Sequence, residues 1–154
     1  MPIDRDHPEK YPPNIQAMLK RRAEAAVVLG QDILDVDVEN GVVRVGYDTT
    51  QTLANRFGAI HGGMTAAMMD DVIALAAGLT IEWGQITPTL EMKVNYLAQG
   101  KPGTRLIAEA RTIRRGGTVI FLEADLKDEA GKLIATASST VMITQVSGPS
   151  RHQG

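Results

Sequence analysis

The chain has 154 residues, with 16 Lys+Arg against 18 Asp+Glu and no cysteine. That length fits one domain that buries about two-thirds of its surface on folding. The net charge of −2 lacks the basic footprint that nucleic-acid binding leaves, and the missing cysteines exclude disulfides, thiolate catalysis and cysteine-based metal sites.

The first residues, Met1 to Pro8, are polar with no apolar signal core, so a cytoplasmic protein without a membrane span is expected. Residues 1–13 carry four of the seven prolines and read as a flexible arm ahead of a single domain over 14–145. Asn14 is placed to cap a helix from Ile15 to Leu29, with Gly30 as its stop. Leu34, Val36 and Val38 then alternate with acidic residues, Asn40-Gly41 intervenes, and Val43, Val45 and Tyr47 alternate again. Asn-Gly between two alternating runs predicts a β-hairpin with a type I′ turn.

Between Phe57 and Ile81 the only charged residues are Asp70 and Asp71, in a stretch rich in Ala and Met. Ala, Met and Leu favour helix, the run from Gly63 to Thr80 is too long for an ordinary strand, and a helix this apolar must be buried. The two aspartates at its middle argue against a membrane span. After Pro88, strands are predicted over Thr89–Leu97, Thr104–Arg114, Val119–Asp128 and Leu133–Thr144, separated by Gly- and Pro-containing turns and joined as an antiparallel meander. Residues Val146–Gly154 read as a flexible tail.

Helix, hairpin, long apolar helix and four strands suggest an α+β domain whose curved antiparallel sheet wraps one buried helix. Such a sheet leaves an outer face and edges to cover, which makes oligomerisation the economical arrangement.

His7 and His152 fall in the expected arm and tail, which leaves His61. It precedes Gly62-Gly63 at the entrance of the apolar helix, where free amides and the positive end of the helix dipole can receive developing negative charge. The same residues also suit a plain loop with a satisfied histidine. Asp70 and Asp71 need a cause, because an ionised carboxylate in a buried helix is costly unless paired. Neighbours on a helix point about 100° apart, so only one of the two can face a site. The face around Asp70 carries Gly63, Ala66, Ala67, Ala74 and Ala77, and the one around Asp71 carries Met64, Met68 and Leu75. Room at Asp70 suits a ligand or a second backbone. Because Asp70 lies beyond the first helical turn, burial rather than the dipole is expected to set its basicity.

The run Asn55-x-x-Gly58-x-x-His61-Gly62-Gly63, with Asp70 nine positions after the histidine and Thr89-Leu90-Glu91-Met92-Lys93-Val94-Asn95-Tyr96 beyond, resembles the hotdog-fold acyl-CoA thioesterases of the phenylacetate-pathway and thioesterase-superfamily type. The resemblance spans about residues 30–145. It implies that Gly62 donates its N–H to the thioester oxygen, Asp70 is general base or nucleophile, and Asn55 and His61 position the loop, substrate or water. Thr89 would hydrogen-bond the water or the carboxylate. It also implies that the loop and the Asp/Thr pair come from different subunits of a homodimer, often paired into a homotetramer, and that no cofactor is needed beyond the coenzyme A of the substrate. Gly63 and Tyr96 would border the substrate, and Arg114, Arg115, Gly116 and Thr118 would meet its nucleotide end, although Gly117 stands where some relatives carry a basic residue. A non-catalytic acyl-CoA-binding module stays open as an alternative. A hydratase or dehydratase fits less well, because the chain has no Pro-Gly-containing dehydratase loop and no histidine on the apolar helix beside Asp70.

Overall fold

The computed structural model describes residues 2–146. Its longest helix is α3 (Gly62–Gly78), preceded by α1 (Pro13–Lys20), α2 (Glu24–Val28), β1 (Gln31–Asp37) and β2 (Val42–Asp48). It is followed by β3 (Gln85–Ile86), β4 (Thr89–Tyr96), β5 (Arg105–Arg115), β6 (Val119–Asp128), β7 (Leu133–Met142) and β8 (Thr144–Gln145). Six strands form one antiparallel sheet in the order β1-β2-β5-β6-β7-β4, and β3 pairs with β8. Among the described residues no helix is long and apolar enough to cross a membrane.

Alternation along the strands builds the core. On β6, Ile120, Leu122, Ala124 and Leu126 are buried while Phe121 and Glu123 between them are exposed, as a period of two requires. The buried residues meet Met68, Met69, Val72, Ile73, Ala76 and Ala77 of α3. Many sheet positions under the helix are alanine (Ala108, Ala110, Ala124, Ala135, Ala137), which lets the strands curve closely around it. This is the expected architecture of one helix wrapped by an antiparallel sheet.

Several local expectations are corrected. The first helix is two, because α1 packs on α3 while α2 packs on β1, and one straight helix cannot follow both. Asn14 does not cap α1. Its amide instead donates to the carbonyls of Gly78 and Ile81 and closes the far end of α3. Gly30 does end the segment, with φ +71. The first hairpin has no type I′ turn, since Gly41 but not Asn40 takes a positive φ. The loop runs over 38–41 instead, closed by Asp37, whose carboxylate accepts from the backbone and side-chain amides of Asn40.

Nor is the N-terminal segment a free arm. Pro2 bridges to Asp35, Ile3 N–H donates to Leu34 O, and Tyr11 is buried with its hydroxyl accepting from Asp4 N–H. Only β5, β6 and β7 form the meander; β4 pairs with β7 rather than with β5. The expected tail falls, beyond Val146, outside the described residues.

Candidate active site

The segment before α3 is held from several sides. Asn55 Oδ1 accepts from Phe57 N–H at 2.9 Å and Ala59 N–H at 3.2 Å, and Asn55 N–H donates to Ala59 O at 2.7 Å. His61 N–H donates to Leu53 O, and Ile60 N–H to Gly100 O. Asn55 therefore holds its own loop. His61 is the N-cap of α3: its Nδ1 accepts from Gly63 N–H at 3.0 Å, which places the proton of the neutral ring on Nε2.

The amides of Met64 and Thr65 donate to His61 O. At the head of α3 this leaves the Gly62 N–H without an acceptor among the described residues, at the positive end of a 17-residue helix. Tyr96 lies beside it, its hydroxyl donating to Gly62 O at 3.1 Å.

Asp70 projects from α3 toward β4, where the Thr89 hydroxyl donates to its Oδ1 at 2.9 Å. Its Oδ2 has no donor among the described residues. Ala66, Ala67 and Ala74 around it are half-buried, whereas Ile73 and Ala77 turn into the core. Space next to the carboxylate thus comes from three of the small residues named in the sequence.

Asp71 points the other way. Its Oδ2 accepts from the Tyr47 hydroxyl at 2.6 Å and from Gln31 Nε2 at 2.7 Å. Burial pushes the Asp71 carboxyl above the usual carboxylate range, opposed by these two hydrogen bonds, and burial pushes the Tyr47 phenol up as well. The deep carboxyl of the pair is Asp71, and its partners come from the inner faces of β1 and β2.

A raised native pKa means that the folded chain holds a proton the unfolded chain has released. Asp71 therefore favours the fold most at low pH, and this contribution is lost as pH rises from the ordinary value of 3.8 through the raised one. In Asp71→Asn the amide oxygen can accept from both donors while the buried charge is gone. The difference in thermal midpoint, variant minus parent, is expected to grow as pH rises above the ordinary value of 3.8 and to level off once the raised value is passed. Midpoints measured from about pH 3.5 to about pH 7.5 check this window; a pH-independent difference would remove Asp71 as the titrating group.

Distances along the helix set the arrangement of the parts. Asp70 lies eight residues after Gly62, about 12 Å along the axis at 1.5 Å per residue. One thioester group cannot touch the Gly62 amide and the Asp70 carboxylate of the same copy, since each contact is made at about 3 Å. The β5–β6 turn sits at the opposite end of α3, where Arg115 Nε donates to Thr80 O at 3.1 Å, just past Gly78, which lies about 24 Å from Gly62 by the same rise. There the Gly116 amide is taken by Val119 O, and the Thr118 carbonyl accepts from Ile143 N–H. Arg114 is exposed, and its side chain makes no hydrogen bond or ion pair among the described residues. Asp70–Thr89 and Gly62–Tyr96 are thus brought together as pairs, while the two pairs and the Arg114–Thr118 turn are not.

The thioesterase superfamily profile matches residues 57–135. The chain is similar to human acyl-coenzyme A thioesterase 13, 32% identical over 127 residues that cover 82% of this chain and 89% of that protein. It is similar in structure to a phenylacetic acid degradation-related protein from Ralstonia eutropha, with TM-score 0.75 and 36% identity over 80% of this chain and 92% of that one. A protein of the phenylacetic acid degradation operon of E. coli shares the fold, with TM-score 0.76 and 23% identity over 88% and 92% of the two chains.

Proposed function

The chain belongs to the thioesterase superfamily and is a thioester hydrolase of hotdog fold, and from that premise we propose that it hydrolyses aryl- or medium-chain acyl-CoA at a site shared by two copies. The observation that carries this reading is the Gly62 amide at the head of α3, together with a carboxylate, Asp70, whose Oδ1 is held by Thr89; among the described residues neither that amide nor Oδ2 has a partner. An acyl-CoA substrate is supported by the name of the human relative, and an aryl acyl group by that of the Ralstonia one.

The chemistry follows from these parts. Asp70 Oδ2 takes a proton from water, whose oxygen attacks the thioester carbon. The carbonyl oxygen becomes anionic and is received by the Gly62 N–H of the other copy. Collapse breaks the C–S bond, and the coenzyme A thiolate leaves readily because thiols ionise near about pH 8.5. Direct attack by Oδ2 gives a mixed anhydride instead; when water opens it at the Asp70 carbonyl carbon, a single turnover in 18O-water labels the Asp70 carboxylate and leaves the released acid unlabelled, the opposite of the water route. Asn55 and His61 hold the loop that presents Gly62 and Gly63, Tyr96 borders the carbonyl subsite, and Arg114, exposed with no side-chain partner among the described residues, would meet a phosphate of the nucleotide end. The protein residues suffice for this reaction, with coenzyme A entering only as part of the substrate.

The shared site has a direct test. Gly62→Pro removes the amide and Asp70→Asn removes the base, so each variant alone is expected to be nearly inactive. In an exchanged equimolar mixture half of the dimers are mixed, and each of those keeps one site intact, so about a quarter of parental activity returns. Mass spectrometry confirms the exchange and thiol release reports the activity. No recovery after proven exchange would place both groups in one copy's site. Acyl-CoA binding without thiol release from any substrate would make the protein a binding module.

A further inference from the structure

We propose that Trp83 is the platform on which the adenine of coenzyme A stacks, with the Arg115 guanidinium beside it taking phosphate. The proposal rests on the acyl-CoA reading above and gives the nucleotide end of that substrate a residue from outside the β5–β6 turn.

Trp83 is the single tryptophan of the chain and is 70% exposed, although an indole ordinarily buries most of its surface. The exposure has a local cause. Gln85 N–H donates to Glu82 O at 3.1 Å, and Gly84, with φ +88, supplies the positive angle that the third position of a type II turn requires. Trp83 is left at the second position, the corner of the turn. The corner is braced, because Gln85 Oε1 accepts from Glu82 N–H at 2.9 Å, Val146 N–H donates to Gly84 O at 2.9 Å, and β3 pairs with β8. A flat ring held in solvent by a braced turn has little backbone freedom to lose when a ligand stacks on it.

The same corner is tied to the β5–β6 turn. Arg115 Nε donates to Thr80 O at 3.1 Å and Nη1 to Gly116 O at 3.3 Å, which fixes the guanidinium at the start of the segment 80–88 and leaves Nη2 without an acceptor among the described residues. Ile143 N–H, next to β8, donates to Thr118 O at 2.8 Å. Arg115 pairs with the buried Ile120, so it stands on the helix side of the sheet, where α3 ends. Gly78 lies eight residues beyond Asp70, about 12 Å along the helix, a span that the pantetheine arm between thioester and phosphates covers. A thioester at Asp70 with its coenzyme A laid toward the end of α3 brings the nucleotide to this corner. Glu82, exposed beside Trp83, repels phosphate, so the phosphates fall on the Arg115 side and the uncharged base falls on the indole.

Fluorescence of the single tryptophan reads the contact directly. Coenzyme A and adenosine 3′,5′-bisphosphate are each expected to quench the emission saturably, whereas pantetheine, which lacks the nucleotide, is expected to leave it as it was. In Trp83→Ala the KM for an acyl-CoA is expected to rise about tenfold, inside the range that loss of one base–aromatic stack covers. Trp83→Phe keeps a flat ring and is expected to stay within about threefold of the parent. The same acyl group carried on pantetheine is the internal reference: the ratio of kcat/KM for acyl-CoA to that for acyl-pantetheine is expected to fall about tenfold in Trp83→Ala. Thermal midpoints confirm that the variants are folded.

Coenzyme A that does not quench, pantetheine that quenches as fully, or a Trp83→Ala variant that loses equally on both substrates overturns the proposal. So does an emission maximum that shifts when the protein alone is diluted, which would place the indole in a contact between copies. Saturable quenching by coenzyme A without thiol release from any acyl-CoA would refute acyl-CoA hydrolysis and leave the adenine platform standing. Hydrolysis with a substrate ratio that Trp83→Ala does not move would do the reverse.

Discussion

Replacing Asp70 by Asn is expected to lower kcat by about 10²–10⁴-fold with acyl-CoA substrates, the usual range for loss of a positioned general base. The fold has little reason to change. The carboxylate is only half-buried, its one hydrogen bond among the described residues comes from the Thr89 hydroxyl, and the oxygen of an asparagine accepts that bond equally well. KM should move little, because the base acts on water. Asp71→Asn is the matched control one residue away: it keeps the donors Tyr47 and Gln31 and is expected to stay within a few-fold of parental kcat. Equal losses in the two variants would show that the helix is disturbed as a whole and that Asp70 holds no separate part in the reaction.

Gly62→Pro is expected to cost about 2.7–4 kcal/mol of barrier, a fall in kcat of about 10²–10³-fold. Proline is tolerated at the first position of a helix, where its missing N–H is unpaired in any case. His61 before it already has ψ 136, the extended conformation that a residue preceding proline adopts. A carbon added at Gly62 would meet the Tyr96 ring at 3.5 Å, an ordinary contact. Gly62→Ala supplies that carbon and keeps the amide, so it should retain most of the activity. Thermal unfolding and kcat for the two variants separate the lost donor from crowding. If the alanine variant falls as far as the proline one, space and not the N–H is what Gly62 provides.

The strands and α3 could be read in the sequence because their periods are local properties: Ile120, Leu122, Ala124 and Leu126 alternate, and the Ala and Met run from Gly62 has no rival conformation. The candidate site could be named because Asn55, His61 and Gly62 lie in one short loop with Asp70 at a fixed spacing, the pattern that carries the resemblance. Long-range choices could not be read. Nothing in the residues near Asn14 says that its amide will reach Gly78, because that bond depends on where α1 packs. Asp37 out-competing a type I′ turn at Asn40 is a contest between a side chain and a backbone preference, which the Asn-Gly pair alone does not decide. The pairing of β4 with β7 rather than β5 is likewise a matter of topology, although the spacer 97–104 between β4 and β5 is longer than a tight hairpin needs. The burial expected at Asp70 falls on Asp71 instead, because its partner, Tyr47, sits at the end of the inward run Val43, Val45, Tyr47, a long-range contact that the residues around the two aspartates do not announce.

That buried pairing fixes the azimuth of α3. Alanine and methionine present a smooth, adaptable surface to the sheet, and such contacts resist rotation of a helix about its own axis only weakly. The bonds from Tyr47 and Gln31 to Asp71 are directional, and they anchor the helix to β2 and β1. One residue of helix is about 100° of turn, so stopping Asp71 on that side aims Asp70 at β4. Inserting or deleting a single residue between Gly62 and Asp70 would keep the helix and its composition but break the alignment of its two ends. The length of that segment is therefore as much a part of the chemistry as the identity of the residues at its ends.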